Sequence, residues 1–501
     1  MRSDNNMGVP QVLEHAESVR RQVVSRISHM RKSELGQFMT PSSIARFMAS
    51  LFSAKTMHSC RLLDPGAGVG ALSCAFLDRV TTGSLNFQRV EVSAFEIDAT
   101  LRPHLKSALI HYTTQLAVQP RVVAGDFITL AVRESLQDQK GYTHAILNPP
   151  YKKINTNSQH RLELRRVGIQ TVNLYSAFVA LALARLAKNG QLVAIIPRSF
   201  CNGPYYRPFR DFILQRASIR HMHLFGSRSK AFKDDDVLQE NIIIMLERGG
   251  QQRDVTISTS TDDNFTDLTT HTHPFNRIVF PDDAGKFIHV PTSLARNAVE
   301  SSPAIRHTLD DLGIKVSTGP VVDFRLREHI RAMPEAGTVP LLYPSHFNGH
   351  TTEWPKQGAK KPNAIQRNDE TEKWLYPNGS YCVVRRFSSK EERRRIMASV
   401  VDPDAFPGAE VLAFENHLNV FHKSKQGLPV ALAHGLAVFL NTTAVDEQFR
   451  RFNGHTQVNA ADLKLMKYPS RAALLALGKW AKQHKKLTQV MLDEQLEKLT
   501  A

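Results

Sequence analysis

The residues Asn148-Pro149-Pro150-Tyr151 carry the densest chemical information in the chain. Two prolines fix φ and remove two backbone donors, so the turn presents acceptors: the Asn148 side-chain oxygen and the Pro149 carbonyl. Two acceptors converging on one point suit an exocyclic amine with two hydrogens to give. Tyr151 adds an aromatic face on which a planar base can stack. Three other stretches offer complementary chemistry. In Leu63-Asp64-Pro65-Gly66-Ala67-Gly68-Val69-Gly70, the glycines let the backbone approach a ligand closely, and the helix start that follows offers free N–H groups. Asp64 is a carboxylate suited to a cation such as an amino-acid ammonium. Glu96, in Phe95-Glu96-Ile97-Asp98, is suited to accept from both hydroxyls of a ribose. In Gly125-Asp126-Phe127, Asp126 suits an adenine amino group and Phe127 the face of its ring.

These stretches are positioned by an alternation of strand and helix patterns. Strands are predicted at Arg61–Asp64, Val90–Glu96, Arg121–Ala124, His144–Leu147, Gln191–Ile196, His221–Phe225 and Asn241–Leu246, with helices at Ala71–Arg79, Leu101–His111 and Leu174–Ala187. Such alternation means a doubly wound, mostly parallel α/β sheet, and the continuously apolar runs fit strands covered on both faces. The four chemical stretches then fall at the carboxyl ends of successive strands, where open α/β sheets bind ligands. Upstream, Gly36-Gln37-Phe38-Met39-Thr40-Pro41 leads into a helix that places Ile44, Phe47, Met48, Leu51 and Phe52 on one buried face, with Thr40 expected as its N-cap.

The chain has 501 residues, and its Lys and Arg exceed its Asp and Glu by 17. The excess favours a polyanionic partner, nucleic acid before an anionic membrane surface. It is spread along the chain, which suits a long groove better than a basic tail. Cys60, Cys74, Cys201 and Cys382 show no CxxC pairing, so neither a disulfide framework nor a zinc site is expected, and no other metal is implied. The start lacks the apolar core of a secretion signal and no apolar stretch approaches the roughly 20 residues that span a bilayer, so a cytoplasmic chain without a membrane partner is expected.

In order as well as content, the motifs resemble the gamma-class N6-adenine DNA methyltransferases of bacterial restriction–modification systems, the Taq-type and Pst-type enzymes. The resemblance covers residues 36–247 and implies a Rossmann-like, seven-stranded methyltransferase sheet followed by a C-terminal mixed α+β target-recognition domain. It implies S-adenosylmethionine as cofactor, held by Thr40, Asp64, Gly66, Gly68, Glu96, Asp126 and Phe127. It implies catalytic roles for Asn148, Pro149, Pro150 and Tyr151, with Tyr151 and Phe232 stacking on a flipped target base. Double-stranded DNA is the implied substrate, and a restriction endonuclease acting on the same site the implied partner, in a nucleoid-associated setting. The C-terminal half resembles Pst-type enzymes through Thr318–Phe324, Arg385–Lys390 and Asn453–Asn459, without assigning roles to them.

The expected organisation is an N-terminal helical segment at 1–35, a catalytic domain at 36–250, a linker or crossover at 251–300, and a recognition domain with C-terminal helices at 301–501. C5-cytosine chemistry is closed, because it needs a Pro-Cys nucleophile and the residues before the cysteines are Ser59, Ser73, Phe200 and Tyr381. N4-cytosine transfer uses the same physics, although by family habit a serine then replaces the asparagine. The residues also leave open methylation of RNA or of protein glutamine, and a non-catalytic DNA-binding specificity subunit.

Overall fold

The structure, a computed structural model, describes residues 10–26, 39–53, 58–114, 117–135, 141–226, 240–348, 351–389 and 391–501. The chain forms two compact units, Met1–Leu294 and Ala295–Ala501. Gly36 to Phe38 and Phe232 lie outside the described residues.

In the first unit the strands are β1 (Ser59–Pro65), β2 (Arg89–Glu96), β3 (Val118–Ala124), β4 (Tyr142–Leu147), β5 (Leu186–Pro197), β6 (Ala217–Phe225), β7 (Asn241–Arg248), β8 (Val255–Ser260) and β9 (Thr269–His273). They form one sheet in the order β3-β2-β1-β4-β5-β7-β6-β8-β9. The strands from β3 to β5 in this order run parallel, and β7 is antiparallel to both of its neighbours. Because strand order reverses between β1 and β4, a crevice opens beyond their carboxyl ends. Alternate residues supply opposite cores. Leu63, Phe95 and Leu147 pack with Phe127 and Phe178 on one face, while Leu62, Val92 and Ile146 pack with Met48 and Phe76 on the other.

Among the described residues, the α-helices of eight or more residues in this unit are α1 (Pro10–Arg26), α2 (Ser42–Ser50), α3 (Ala71–Thr81), α4 (Arg102–His111), α5 (Phe127–Ser135), α6 (Gln159–Arg166), α7 (Leu174–Arg185) and α8 (Arg207–Arg216). Thr40 is not the cap of α2. Pro41 holds that position, and the Ser42 N–H donates to Glu17 of α1, so a carboxylate from another helix does the capping. Ile44, Met48 and Phe52 are buried as their spacing demands, with Phe47 and Leu51 half-buried.

Residues 251–300 are not simply a linker. They supply β8, parallel to β6, and β9, so among the described residues the sheet has nine strands rather than seven. Their buried face is partly polar, which disguised it. Ser258 is buried and bonds His221 Nε2 at 2.7 Å and His223 Nδ1 at 2.8 Å. Burial holds both imidazoles neutral, lowering His221 to about 4 and His223 to about 3.

The second unit is mixed α+β. One four-stranded sheet runs Lys315–Thr318, Leu418–His422, Tyr381–Arg385, Ala398–Val401, and a five-stranded sheet centres on Thr338–Leu342. Helices Val430–Leu440 and Arg471–Lys482 cross with their backbones in contact at Gly435 and Gly478. A Cβ on Gly478 would stand 1.6 Å from the Ala431 carbonyl oxygen. Among the described residues no helix is long and apolar enough to cross a membrane.

Candidate active site

The turn between β1 and α3 is built by left-handed glycines, with φ of 77° at Gly66 and 58° at Gly68. It is pinned to β2: the Gly66 and Ala67 N–H groups both donate to the Phe95 carbonyl at 2.9 Å. Glu96 completes the junction. One of its carboxylate oxygens accepts from Gly68 N–H and the other from Asp98 N–H, each at 2.7 Å. These two backbone bonds orient Glu96, which lines a cavity of about 320 Å³. That volume lies at the small end of the range for ligand sites.

Asp126 lies in the turn between β3 and α5, directly before the first residue of the helix. Its Oδ1 accepts the Thr129 N–H at 2.9 Å, and its Oδ2 lies 3.3 Å from His160 Nε2. Burial raises the Asp126 pKa, but the His160 and Thr129 bonds outweigh it and hold the carboxyl below its ordinary value. The same bond to Asp126 raises His160 against the opposing effect of burial. Phe127 is buried beside Phe95 and Phe178, with ring centroids 5.1 and 5.0 Å away.

Asn148 follows β4 and is gripped at both ends of its amide. Its Nδ2 donates to Thr40 Oγ1 at 3.1 Å, and the Tyr151 hydroxyl lies 3.2 Å from its Oδ1 and 3.3 Å from the Ile195 carbonyl. Burial pushes the Tyr151 phenol well above its ordinary value, so it remains a neutral donor.

Thr40, Gly66, Gly68, Glu96, Asp126, Phe127, Asn148 and Pro150 all line this single cavity. Pro149 and Tyr151 adjoin Asn148 and Pro150 in the chain but do not line it. Asp64 is also set back, because it lies within β1 rather than beyond it and is registered against Ala94. It is wholly buried, with Ser73 of α3 donating to its Oδ2 at 2.6 Å. Its Oδ1 has no hydrogen-bond partner among the described residues. Burial, opposed by the Ser73 bond and aided by the charge of Glu96, pushes its pKa up to about 7.

Sequence reasoning missed several wall residues. Ile97 is an apolar side chain left 51 % exposed at the rim. Lys152 and Lys153 bring positive charge directly after the proline turn, and His160 reaches Asp126 from α6. Adjacency to the motifs was a usable signal for Ile97 and the lysines, whereas His160 had none.

The residues suit a nucleoside-bearing cationic ligand. A Cβ on Gly68 would meet nothing within 4 Å, so the turn faces open space. Two oriented carboxylates and a buried aromatic share the wall, and an unsatisfied carboxylate oxygen lies beneath the turn. The sheet order, the reversed β7 and the pinned glycine turn together define a class I S-adenosylmethionine-dependent methyltransferase fold.

Comparison with known proteins narrows this. The Eco57I restriction-modification methylase family matches residues 85–232. Type II methyltransferase M.BsuBI of Bacillus subtilis is 52% identical over 476 residues, spanning 93% of this chain and 94% of that protein. Type II methyltransferase M.PstI of Providencia stuartii is 41% identical over 467 residues, spanning 91% of each. Two solved structures share the fold: a DrdV–DNA complex (TM-score 0.53, 12% identity, 95% of this chain and 60% of that one) and the Type IIL restriction-modification enzyme MmeI with DNA (TM-score 0.51, 10% identity, 98% and 73%). The chain belongs to the Type II methyltransferases of restriction–modification systems.

Proposed function

We propose that this DNA methyltransferase modifies the N6 amine of adenine within a short duplex sequence, and that the cavity serves both the cofactor and the target amine. The observation that carries this reading is that Asn148 lines the same 320 Å³ space as Gly66, Gly68, Glu96, Asp126 and Phe127. S-adenosylmethionine, when bound, supplies a methyl group activated by a sulfonium.

Glu96 accepts from the ribose hydroxyls, Asp126 from the cofactor's adenine amine, and Phe127 supplies an apolar wall for its ring. Gly66 and Gly68 keep the turn free of side chains, with Thr40 closing the far side. Asp64 lies beneath the turn as the buried negative charge toward which an ammonium is drawn.

Adenine N6 is a poor nucleophile because its lone pair is delocalised into the ring. Asn148 Oδ1 and the Pro149 carbonyl accept its two hydrogens. This draws the nitrogen toward tetrahedral geometry and stabilises the positive charge that develops there. Pro149 and Pro150 hold those acceptors rigidly, while Thr40 and Tyr151 fix which way the Asn148 amide faces. The product proton is acidic enough to leave to solvent, so no strong base is required.

An amine inside a duplex is out of reach, so the base must be extruded, and stacking on Tyr151 and Phe232 offsets part of that cost. The second unit, Ala295–Ala501, supplies target recognition, and a restriction endonuclease cutting the same sequence is the expected partner. To test the reading, the protein is incubated with methyl-labelled cofactor and duplex DNA, RNA or cell protein, and modified nucleosides are identified. Label in N6-methyladenine of duplex DNA is expected. Label in N4-methylcytosine, RNA or glutamine would overturn it.

A further inference from the structure

Three sequence stretches in the second unit, Thr318–Phe324, Arg385–Ser389 and Asn453–Asn459, have no part in the methyl-transfer cavity. They converge on one loop, residues 415–418. The Gly319 N–H donates to the Leu418 carbonyl at 2.8 Å, and the Asn416 N–H to the Val321 carbonyl at 2.9 Å. A Cβ on Gly319 would stand 2.2 Å from the Glu415 carbonyl oxygen, so only glycine permits this approach. From the second stretch, the Arg386 N–H donates to the His417 carbonyl at 2.8 Å. From the third, the Val458 N–H donates to the Arg386 carbonyl at 2.7 Å. Beneath them, buried Arg395 ties the second stretch to the third through Ser388 Oγ at 3.1 Å and Asn453 Oδ1 at 2.9 Å.

Three side chains gathered there have the chemistry to bind a partner. His417 is 40% exposed, yet its Nδ1 sits 2.7 Å from both oxygens of Glu415, whose side chain is wholly buried. Burying a carboxylate is costly, and here it orients an imidazole whose Nε2 is left for another molecule. Arg386 donates through one terminal nitrogen to the Asn416 carbonyl at 3.1 Å and through the other to Gln457 Oε1 at 3.3 Å. It makes no ion pair among the described residues, its Nε is buried without a hydrogen-bond partner there, and each terminal nitrogen carries a second N–H. Phe387 lies 4.8 Å from the imidazole and flanks the guanidinium at 5.5 Å, which stiffens both.

We propose that Arg386, His417 and Gln457 form a base-reading cluster that sets the DNA sequence this enzyme modifies. The proposal rests on the proposed function, in which duplex DNA is the substrate. Arg and Gln are the side chains whose paired groups match purine edges, guanine O6/N7 and adenine N6/N7 respectively. A phosphate contact needs only a nearby positive charge, whereas a base edge needs the fixed direction that Glu415, Asn416 and Phe387 impose here.

The test uses the full chain and a pool of duplexes carrying every single-base change in the site that the wild type methylates. Arg386→Ala, Gln457→Ala and His417→Ala should each lose about ten- to a hundred-fold discrimination at particular base positions. Cofactor affinity should stay at the wild-type value, whereas the thermal midpoint of His417→Ala should fall, because the buried Glu415 carboxylate loses its partner. Glu415→Gln should produce a smaller loss at the His417 position, as expected of a residue acting through the imidazole. Should Arg386→Ala fail to fold, Gln457→Glu decides, because it keeps the shape but repels an acceptor and must change the preferred base. An equal loss on every sequence would mean phosphate contact, and unchanged discrimination would mean a scaffold; either overturns the cluster alone. A wild type that leaves DNA unmethylated would overturn the substrate reading, and the cluster with it.

Discussion

Replacing Asp64 with Asn should make the protein more stable, and increasingly so as pH rises. Asp64 is fully buried, and its pKa stands at about 7 against an ordinary 3.8. The folded state therefore holds the Asp64 proton more tightly than the unfolded chain does. Between pH 3.8 and 7 each pH unit costs the folded wild type about 1.4 kcal/mol, and above pH 7 the loss levels off. From pH 5.5 to 8.5 the difference between Asp64→Asn and wild type should grow by about 2 kcal/mol in favour of the variant. Asn keeps the shape and a partner for Ser73, so packing contributes little to this change with pH. Urea unfolding of both proteins without cofactor, at pH 5.5, 7 and 8.5, measures it. A difference that stays flat would show that Asp64 does not titrate in this window and would remove the buried charge from the account. A cation held near Asp64 favours its charged form. Cofactor affinity of the wild type, relative to Asp64→Asn, should therefore rise over the same pH range.

Thr40→Val keeps the volume but removes the acceptor of Asn148 Nδ2, so about 1 kcal/mol of orientation is lost. Its kcat should fall about five-fold with cofactor Kd nearly constant, as read by steady-state kinetics and calorimetry. His160→Ala should raise the cofactor KM about three-fold at pH 6, because a partly exposed ion pair to Asp126 contributes modestly. His160 is raised by Asp126, so this contribution is complete below its unfolded pKa and disappears as pH climbs through the folded value. The gap between variant and wild type should accordingly close at pH 9. Gly478→Ala drives a Cβ into the Ala431 carbonyl and should destabilise the second unit by about 3 kcal/mol or more, measured by denaturant unfolding.

Strands β4 to β7 were legible in the sequence because strands covered on both faces read as apolar runs, whereas the half-exposed edge strand β3 was predicted only over its last four residues. The helix α7 was legible for a similar reason, being apolar nearly all round. Other elements owe their places to polar anchors, which periodicity does not register. Helix α6 starts on the Ser158 hydroxyl and is held to α5 by Glu163 and Thr129 at 2.9 Å. Strand β8 buries Ser258 against two histidines. Among the site residues, the motifs pointed to most of the cavity wall but not to its depth. Asp64 lies one position before the strand ends, and that single step moves it from the wall to the interior. The bond from Asn148 to Thr40 joins residues 108 apart, and only the sheet brings them together. In the second unit the three stretches stood out in the sequence, but their meeting point at His417 depends on the strand order of the folded sheets.

The most direct measurement of the central claim separates binding from turnover in Asn148→Ala. Titration calorimetry with S-adenosylmethionine and methyl counting on duplex DNA are performed on the same preparation. The account predicts a cofactor Kd close to wild type and no methyl group transferred to DNA. Turnover that survives the substitution would contradict it.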